Sequence, residues 1–411
     1  MHRFSIAIDQ CPSELRPALA GITAERPDRF GPGGIAIRFI HEPAAARRLA
    51  VTIIPAAVEV RYATPTDAFR ALGRLLGIDA AKKPTSFTET ARFKVLGAFI
   101  DASRNGVLRV DQAKALMRRF ALMGLNQVII YTEDTYEVPG EPFFGYLRGG
   151  YSQSELKELD DHAHDLGLEM QLCIQVLGHL EQLLQWPAYA ANRDTSGILL
   201  AEDDATYALI EKMVVAATRS LRCKTLQIGM DEAHGLGSGR YRKLHGIVPP
   251  FDILNRHLTR VREICRTHGI NPRIMSDMYF RLGSKVDHYY DTDCVIPAEV
   301  IKDIPKDVGL TYWDYYHTSP DFYENWIDRH RALGSEPIMW TGVWTWCRMW
   351  AGLPFSLSAI DACMTASKKK KLPEVAACMW GDDGTECDIY SALPGLQFFA
   401  EHGHAEQVDP L

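Results

Sequence analysis

The sequence has no long apolar run. No stretch reaches the ~18 uninterrupted apolar residues of a membrane helix, and the N-terminus, MHRFSIAIDQCPSEL, lacks the apolar core of a secretion signal. There is no C-x-x-C pair, and the nine cysteines are scattered and odd in number. That argues against a disulfide framework or a zinc knuckle and for buried free thiols in a reducing cytoplasm. Positive charge is not in excess: the net charge of −7 argues against a nucleic-acid partner. A phosphate-binding loop, an internal repeat and any low-complexity tract beyond KKKK are also missing. What remains is an ordinary soluble composition, 46% hydrophobic and 24% charged over 411 residues. That length suits one large domain with a small one, or two to three average domains.

Residues 1–88 read as a small α/β unit. RFSIAID, GGIAIRFI and RLAVTIIP have strand character, and TPTDAFRALGRLLG reads as a helix starting near Thr64 or Thr66 and closing at Gly77. The polar segment 79–90 reads as a linker. Residues 89–411 then alternate eight apolar runs with helical segments. The runs are KVLGAFID, NQVIIYTED, EMQLCIQVLGH, TLQIGMDEAH, PRIMSDMYF, GLTYWDYY, PIMWTGVW and VAACMWGDD. The helix within YSQSELKELDDHAHDLG opens on a capping box, Ser152 with Glu155, and the helix near PAEVIKD is short. Runs apolar on both faces suit a parallel sheet covered by helices. Eight of them predict a (β/α)₈ barrel behind a small α/β domain, with a doubly wound open sheet as the alternative. Polar residues favour the barrel, because they end nearly every run and a barrel gathers its strand ends at one mouth.

At that mouth the sequence places carboxylates, one arginine, few histidines and many aromatics. The H-x-H pair His162 and His164 falls on a predicted helix, where the two side chains point to different faces, so it reads as solvated surface rather than a metal site. Aromatic faces with hydroxyl-binding polar groups favour an uncharged polar ligand such as a sugar. The acid pair Asp231 and Glu232 raises a difficulty, since neighbours on a strand point to opposite faces. Nor can consecutive carboxylates easily flank a glycosidic bond from opposite sides at ~5–9.5 Å. A 2-acetamido sugar removes that difficulty by supplying its own nucleophile, the acetamide oxygen. A proton-donating Glu232 then calls for a carboxyl pKa raised towards neutrality.

These motifs resemble glycoside hydrolase family 20, the β-N-acetylhexosaminidases, over essentially the whole chain, most of all the bacterial exo-hexosaminidase branch with IGMDEAH. The resemblance implies an exo-acting retaining hydrolase of terminal β-linked GlcNAc or GalNAc that passes through an oxazolinium ion and needs no cofactor or metal. It makes Asp231 the residue that orients the acetamide and Glu232 the general acid and base. In QVLGH it makes His179 a relay, partnered by Glu133 or Asp134 of YTEDTY. In IDASRNGVL it sets Arg104 on sugar hydroxyls, with Asp101 orienting the arginine. In TYWDYY it sets Tyr312 on the acetamide oxygen and Asp314 on a hydroxyl, and in CMWGDD Trp380 under the sugar and Asp382 on O4 or O6. GVWTW adds Trp344 and Trp346 to the wall.

Two positions depart from that pattern. Met275 stands where the family has a tryptophan lining the acetamide pocket, and Asp382 where it has glutamate. The chain also ends soon after the eighth helix, where relatives run on, which implies a minimal or shortened form. The partner expected is a glycan with a terminal N-acetylhexosamine, with no nucleic acid and no membrane; the oligomeric state is open. The rival readings are a sugar-binding barrel impaired in catalysis and a metal-dependent barrel hydrolase.

Overall fold

The computed structural model describes residues 2–44, 46–54, 57–78, 85–382 and 384–408. The first ninety residues form a five-stranded sheet of β1 (Phe4–Ser5), β2 (Ile35–His41), β3 (Arg48–Ile54), β4 (Ala57–Tyr62) and β5 (Phe87–Thr90), in the order β1-β2-β4-β3-β5. β4 pairs parallel with β2 and antiparallel with β3. The helix Pro65–Leu76 ends at Gly77 as its sequence predicts and starts at Thr64, one of the two expected positions, where Thr64 and Asp67 form a capping box. Strand β4 and the helix Arg16–Glu25 had no clear sequence signal. β5 runs across the boundary expected at residue 88; residues 79–84 of the expected linker lie outside the described residues.

Eight parallel strands follow: β6 (Val95–Asp101), β7 (Gln127–Glu133), β8 (Glu169–Ile174), β9 (Thr225–Gln227), β10 (Asn271–Met275), β11 (Gly309–Trp313), β12 (Ile338–Gly342) and β13 (Glu374–Met379). They close into a barrel through the β13–β6 pairing, in register from Glu374–Val95 to Met379–Ile100. That closure decides for the (β/α)₈ barrel over the open sheet. The strands are buried on both faces, as the unbroken apolar runs require; every residue of β7 and of β13 is buried.

Strand alternation sorts those side chains into two cores. Phe99, Ile129, Tyr131, Cys173, Met275, Tyr315, Trp340 and Trp346 fill the inside of the barrel. Leu96, Ile100, Val128, Ile130, Leu172, Ile274, Tyr312 and Met339 pack outward into the layer that includes the helices Gln153–Asp165, Asp204–Thr218, Pro250–Thr267, Pro320–Ala332 and Leu353–Lys369. The small domain is tied on by buried Arg70, which reaches Glu89 at 2.9 Å and Glu401 at 2.7 Å. Seven of the nine thiols are buried; Cys294 is half-buried and Cys347 exposed. Among the described residues, no helix is long and apolar enough to cross a membrane.

Two expected strands are shorter than their apolar runs. β10 stops at Met275 and a helix, Asp277–Gly283, takes over at once. β9 stops at Gln227, four residues before the acid pair. Both early endings shape the site.

Candidate active site

After β9 the chain leaves the extended conformation. Gly229, Met230 and Glu232 have φ of 68°, 73° and 46°, in the left-handed region that side chains with a Cβ enter at a cost of about 1–3 kcal/mol. The strand rule that would separate Asp231 from Glu232 therefore no longer applies. Both carboxylates turn to one imidazole: His179 Nε2 lies 3.3 Å from Asp231 Oδ2 and 3.4 Å from Glu232 Oε2. Glu133, His179 and Asp382, at three other strand ends, also have positive φ, of 40°, 52° and 34°. Strain of this kind clusters where a site over-determines its backbone.

The groups interlock. Gln175 donates to Asp231 Oδ1 at 2.7 Å and to the Tyr131 hydroxyl at 2.9 Å, and its carbonyl accepts the Met230 amide at 3.0 Å. The Tyr131 hydroxyl donates to Glu133 at 3.0 Å, and Glu133 lies 3.3 Å from Arg104 Nε. Arg104 donates to Asp101 at 2.8 Å, as expected of an arginine held by the first-strand aspartate. Asp101 also accepts from the Ser103 and Gly381 amides at 2.8 and 2.9 Å. Arg104 lies over the rings of Tyr131 and Trp380 at 5.0 and 5.5 Å, a geometry that stabilises a desolvated guanidinium.

The charges settle into a definite pattern. Burial disfavours the His179 imidazolium, but Asp231 and its hydrogen bonds overcome this and hold the ring well above the usual histidine range. Burial would raise Asp231; the His179 charge and the bonds from His179 and Gln175 bring it below its ordinary value. Burial likewise opposes, and the His179 bond prevails in, lowering Glu232. The raised Glu232 carboxyl expected of a proton donor is thus not met: the shift is downward. His179, whose charged form the two acids favour, lies between them.

A cavity of about 110 Å³ opens over this pair, lined by Arg104, His179, Asp231, Glu232, Met275, Trp313, Tyr315, Tyr316, Trp346, Trp380 and Asp382. Tyr315 is enclosed, and its hydroxyl lies beside Trp380 and Cys378 without the geometry of a hydrogen bond to either. The Trp380 indole nitrogen is equally without a partner among the described residues. Buried polar groups left unpaired cost about 1–3 kcal/mol each. Two larger grooves, of about 590 and 610 Å³, lie away from the mouth; the first is lined mainly by charged helix side chains, the second by a mixture of arginines, apolar side chains and glycines, and neither has a comparable constellation.

Eight of the thirteen expected site residues line this cavity. Glu133 stands one step behind, against Arg104. The other four need correction. Asp134 has the opposite parity to Glu133 and pairs with Arg148, not His179. Tyr312 and Asp314 likewise face outward: the Tyr312 ring packs 4.7 Å from His330 and donates its hydroxyl to Asp314 at 2.8 Å. Asp314, wholly buried, also accepts the Tyr316 amide at 3.0 Å and meets His317 Nδ1 at 2.8 Å. The alternate residues Trp313 and Tyr315 face the cavity, stacked at 5.6 Å and 13°. Trp344 stacks behind Trp346 at 5.5 Å, with Arg348 over it at 4.4 Å, and does not reach the cavity.

Gln175, Asp277, Trp313, Tyr315 and Tyr316 are the residues to which motif reading gave no role. Counting parity from Asp101 or Trp340 along neighbouring strands would have found Trp313 and Tyr315. His162 and His164 lie on one helix as expected, but only His164 is exposed; His162 is half-buried, 3.2 Å from Arg118. Among the described residues, no group of three or more His, Cys, Asp or Glu is arranged to hold a metal ion.

No protein-family model and no curated protein sequence matches the chain. Solved structures do. The Flavobacterium johnsoniae chitobiase of glycoside hydrolase family 20 aligns over 99% of this chain and 66% of its own, at 15% identity and a TM-score of 0.71. The Vibrio harveyi family 20 exo-β-N-acetylglucosaminidase aligns over 99% and 71%, at 15% and 0.70. The Streptomyces coelicolor family 20 β-N-acetylhexosaminidase aligns over 98% and 87%, at 18% and 0.70. At these identities the likeness establishes a common fold, small domain and barrel together. The chain spans just under two thirds of the Flavobacterium protein.

Proposed function

We propose that this protein is a glycoside hydrolase of family 20 type, an exo-acting β-N-acetylhexosaminidase that uses the substrate's acetamide as nucleophile. The observation that carries this reading is the shared orientation of Asp231 and Glu232 on one imidazole, which leaves the pair unable to flank a bond from opposite sides. The fold shared with three named enzymes of that kind supports it.

In this mechanism the terminal sugar lies with Trp380 against its ring and Arg104 and Asp382 on its hydroxyls. Trp346, Met275, Trp313 and Tyr315 enclose the acetamide. Asp231 accepts the acetamide N–H, which leaves the carbonyl oxygen aimed at the anomeric carbon. As that oxygen attacks, the glycosidic C–O bond breaks and Glu232 gives its proton to the departing oxygen. The nitrogen then shares the positive charge of the oxazolinium ion, next to the Asp231 carboxylate. Water next attacks the anomeric carbon, Glu232 takes the water proton, and the ring opens to the retained product. His179 supplies and takes back the proton that Glu232 needs between steps. Substrate binding favours that supply, because it removes water from Glu232 and covers the Asp231 charge.

A panel of aryl β-glycosides of N-acetylglucosamine, N-acetylgalactosamine, glucose and galactose tests this function. Turnover confined to the 2-acetamido sugars, with inhibition by a thiazoline analogue, is expected. Equal turnover of the 2-hydroxy sugars overturns it.

A further inference from the structure

We infer that Asp277 is a positioning residue that joins the aromatic wall of the pocket to the backbone of Glu232, so that the wall and the proton donor are held as one unit. This rests on the hydrolase reading above.

Asp277 opens the helix that replaces the end of β10, and it is 7% exposed. Each of its carboxylate oxygens is engaged by one N–H. Oδ2 accepts the Glu232 amide at 2.9 Å, and Oδ1 accepts the Trp313 indole N–H at 3.3 Å. Asp277 therefore bridges the ends of β9 and β11, the two strands that flank β10.

Among the described residues, neither the Glu232 amide nor the Trp313 indole N–H has another acceptor. Glu232 lies beyond the last residue of β9 with φ of 46°, so its amide has left the sheet ladder that would otherwise hold it. A left-handed residue with a Cβ relaxes to ordinary backbone unless its surroundings fix it, and relaxation here would swing the Glu232 side chain away from His179. Trp313 forms the cavity wall beside Met275, a flexible side chain where a rigid one would be needed to define the pocket. The indole is stiffened by Tyr315 stacked at 5.6 Å and by Tyr289 set edge-on at 5.4 Å. Its N–H sets the remaining rotation about the ring, and that bond ends on Asp277. A sugar pressing on the indole therefore loads the same carboxylate that holds the Glu232 amide.

Mispositioning of a proton donor has a chemical signature that loss of stability lacks. Substrates whose leaving group is a strong base depend fully on proton donation, whereas a weakly basic leaving group departs almost unaided. Asp277→Asn keeps the shape, but its amide NH₂ opposes one of the two N–H donors. Trp313→Phe keeps a ring in the wall and removes only the indole N–H.

The experiment measures kcat and KM of the wild type and both variants on phenyl, 4-nitrophenyl and 2,4-dinitrophenyl N-acetyl-β-glucosaminides, with melting temperatures alongside. Asp277→Asn should lose about 10²-fold in kcat on the phenyl substrate, the lower end of what a general acid supplies, and less than about threefold on the dinitrophenyl one. Trp313→Phe should show the same slope with a loss of about tenfold on the phenyl substrate, as a small misplacement does. An equal loss on all three substrates, or wild-type slopes in both variants, overturns the inference while the hydrolase reading stands. Wild-type protein inert towards all three overturns both. If Asp277→Asn does not fold, the slope of Trp313→Phe decides.

Discussion

The ends of β9 and β11 both carry acids and place them in opposite ways. After β9 the backbone turns left-handed at Met230 and Glu232, alternation fails, and two consecutive acids face one imidazole. After β11 alternation continues: Trp313 and Tyr315 enter the barrel mouth while Tyr312 and Asp314 turn outward to His330 and His317. A motif such as Y-x-D or D-E therefore does not by itself say which residue meets the ligand. Parity decides, and so does the place where it is broken.

Substitutions at the two ends should separate accordingly. At the β9 end Glu232→Gln should lower kcat on an N-acetyl aryl glycoside by roughly 10²–10⁴-fold, with the melting temperature near wild type. Asp231→Asn should also fall steeply, by about 10²-fold or more, since the developing cation loses its counter-charge. At the β11 end Tyr315→Phe should raise KM or lower kcat about tenfold, the worth of one hydrogen bond of about 1.4 kcal/mol, without loss of stability, because it deletes a hydroxyl that has no hydrogen-bond partner among the described residues. Tyr312→Phe and Asp314→Asn should do the reverse. They leave an enclosed hydrogen-bonded group behind the wall unsatisfied, which costs about 1–3 kcal/mol in denaturant unfolding and leaves KM within about twofold. If Tyr312→Phe proves the kinetic variant and Tyr315→Phe the silent one, the parity argument is wrong.

The smallest effect is that of pH on stability. His179 has a folded pKa raised above its unfolded value, so its contribution is fully present below about pH 6.5 and is lost as pH rises through the folded value. Asp231 and Glu232 have depressed values, so theirs is present above about pH 4 and lost as pH falls through the folded values. The melting temperature of wild type minus that of His179→Asn should thus be greatest between about pH 4.5 and 6.5. A difference that grew steadily towards pH 9 would contradict the ion pair.

The barrel was legible in the sequence because eight apolar runs separated by helices admit few other layers, and the capping box at Ser152 and the short helix at Ala298–Asp303 fell where expected. Strand β4 was not, since AVEVRY alternates too briefly to stand apart from the run before it. At the site, Arg104, His179, Asp231, Glu232, Trp380 and Asp382 were legible because each lies in a motif at a strand end. Asp134, Tyr312, Asp314 and Trp344 were misplaced, all for want of the register between strands. Asp277 was visible only as one more acid at a strand end. Its bond to the Glu232 amide joins residues 45 apart and depends on β10 ending early, which no local pattern announces.

The central claim is that the ligand, not the protein, brings the nucleophile. Successive fluorination of the acetamide methyl group in a 4-nitrophenyl glycoside tests it most directly, because fluorine weakens the carbonyl oxygen as a nucleophile while hardly changing its size. The account predicts that kcat falls steeply from acetamido through difluoro- to trifluoroacetamido, about tenfold or more per step, each tenfold being 1.36 kcal/mol of barrel-mouth barrier. A kcat indifferent to fluorination would mean that a protein carboxylate attacks the sugar, and would contradict it.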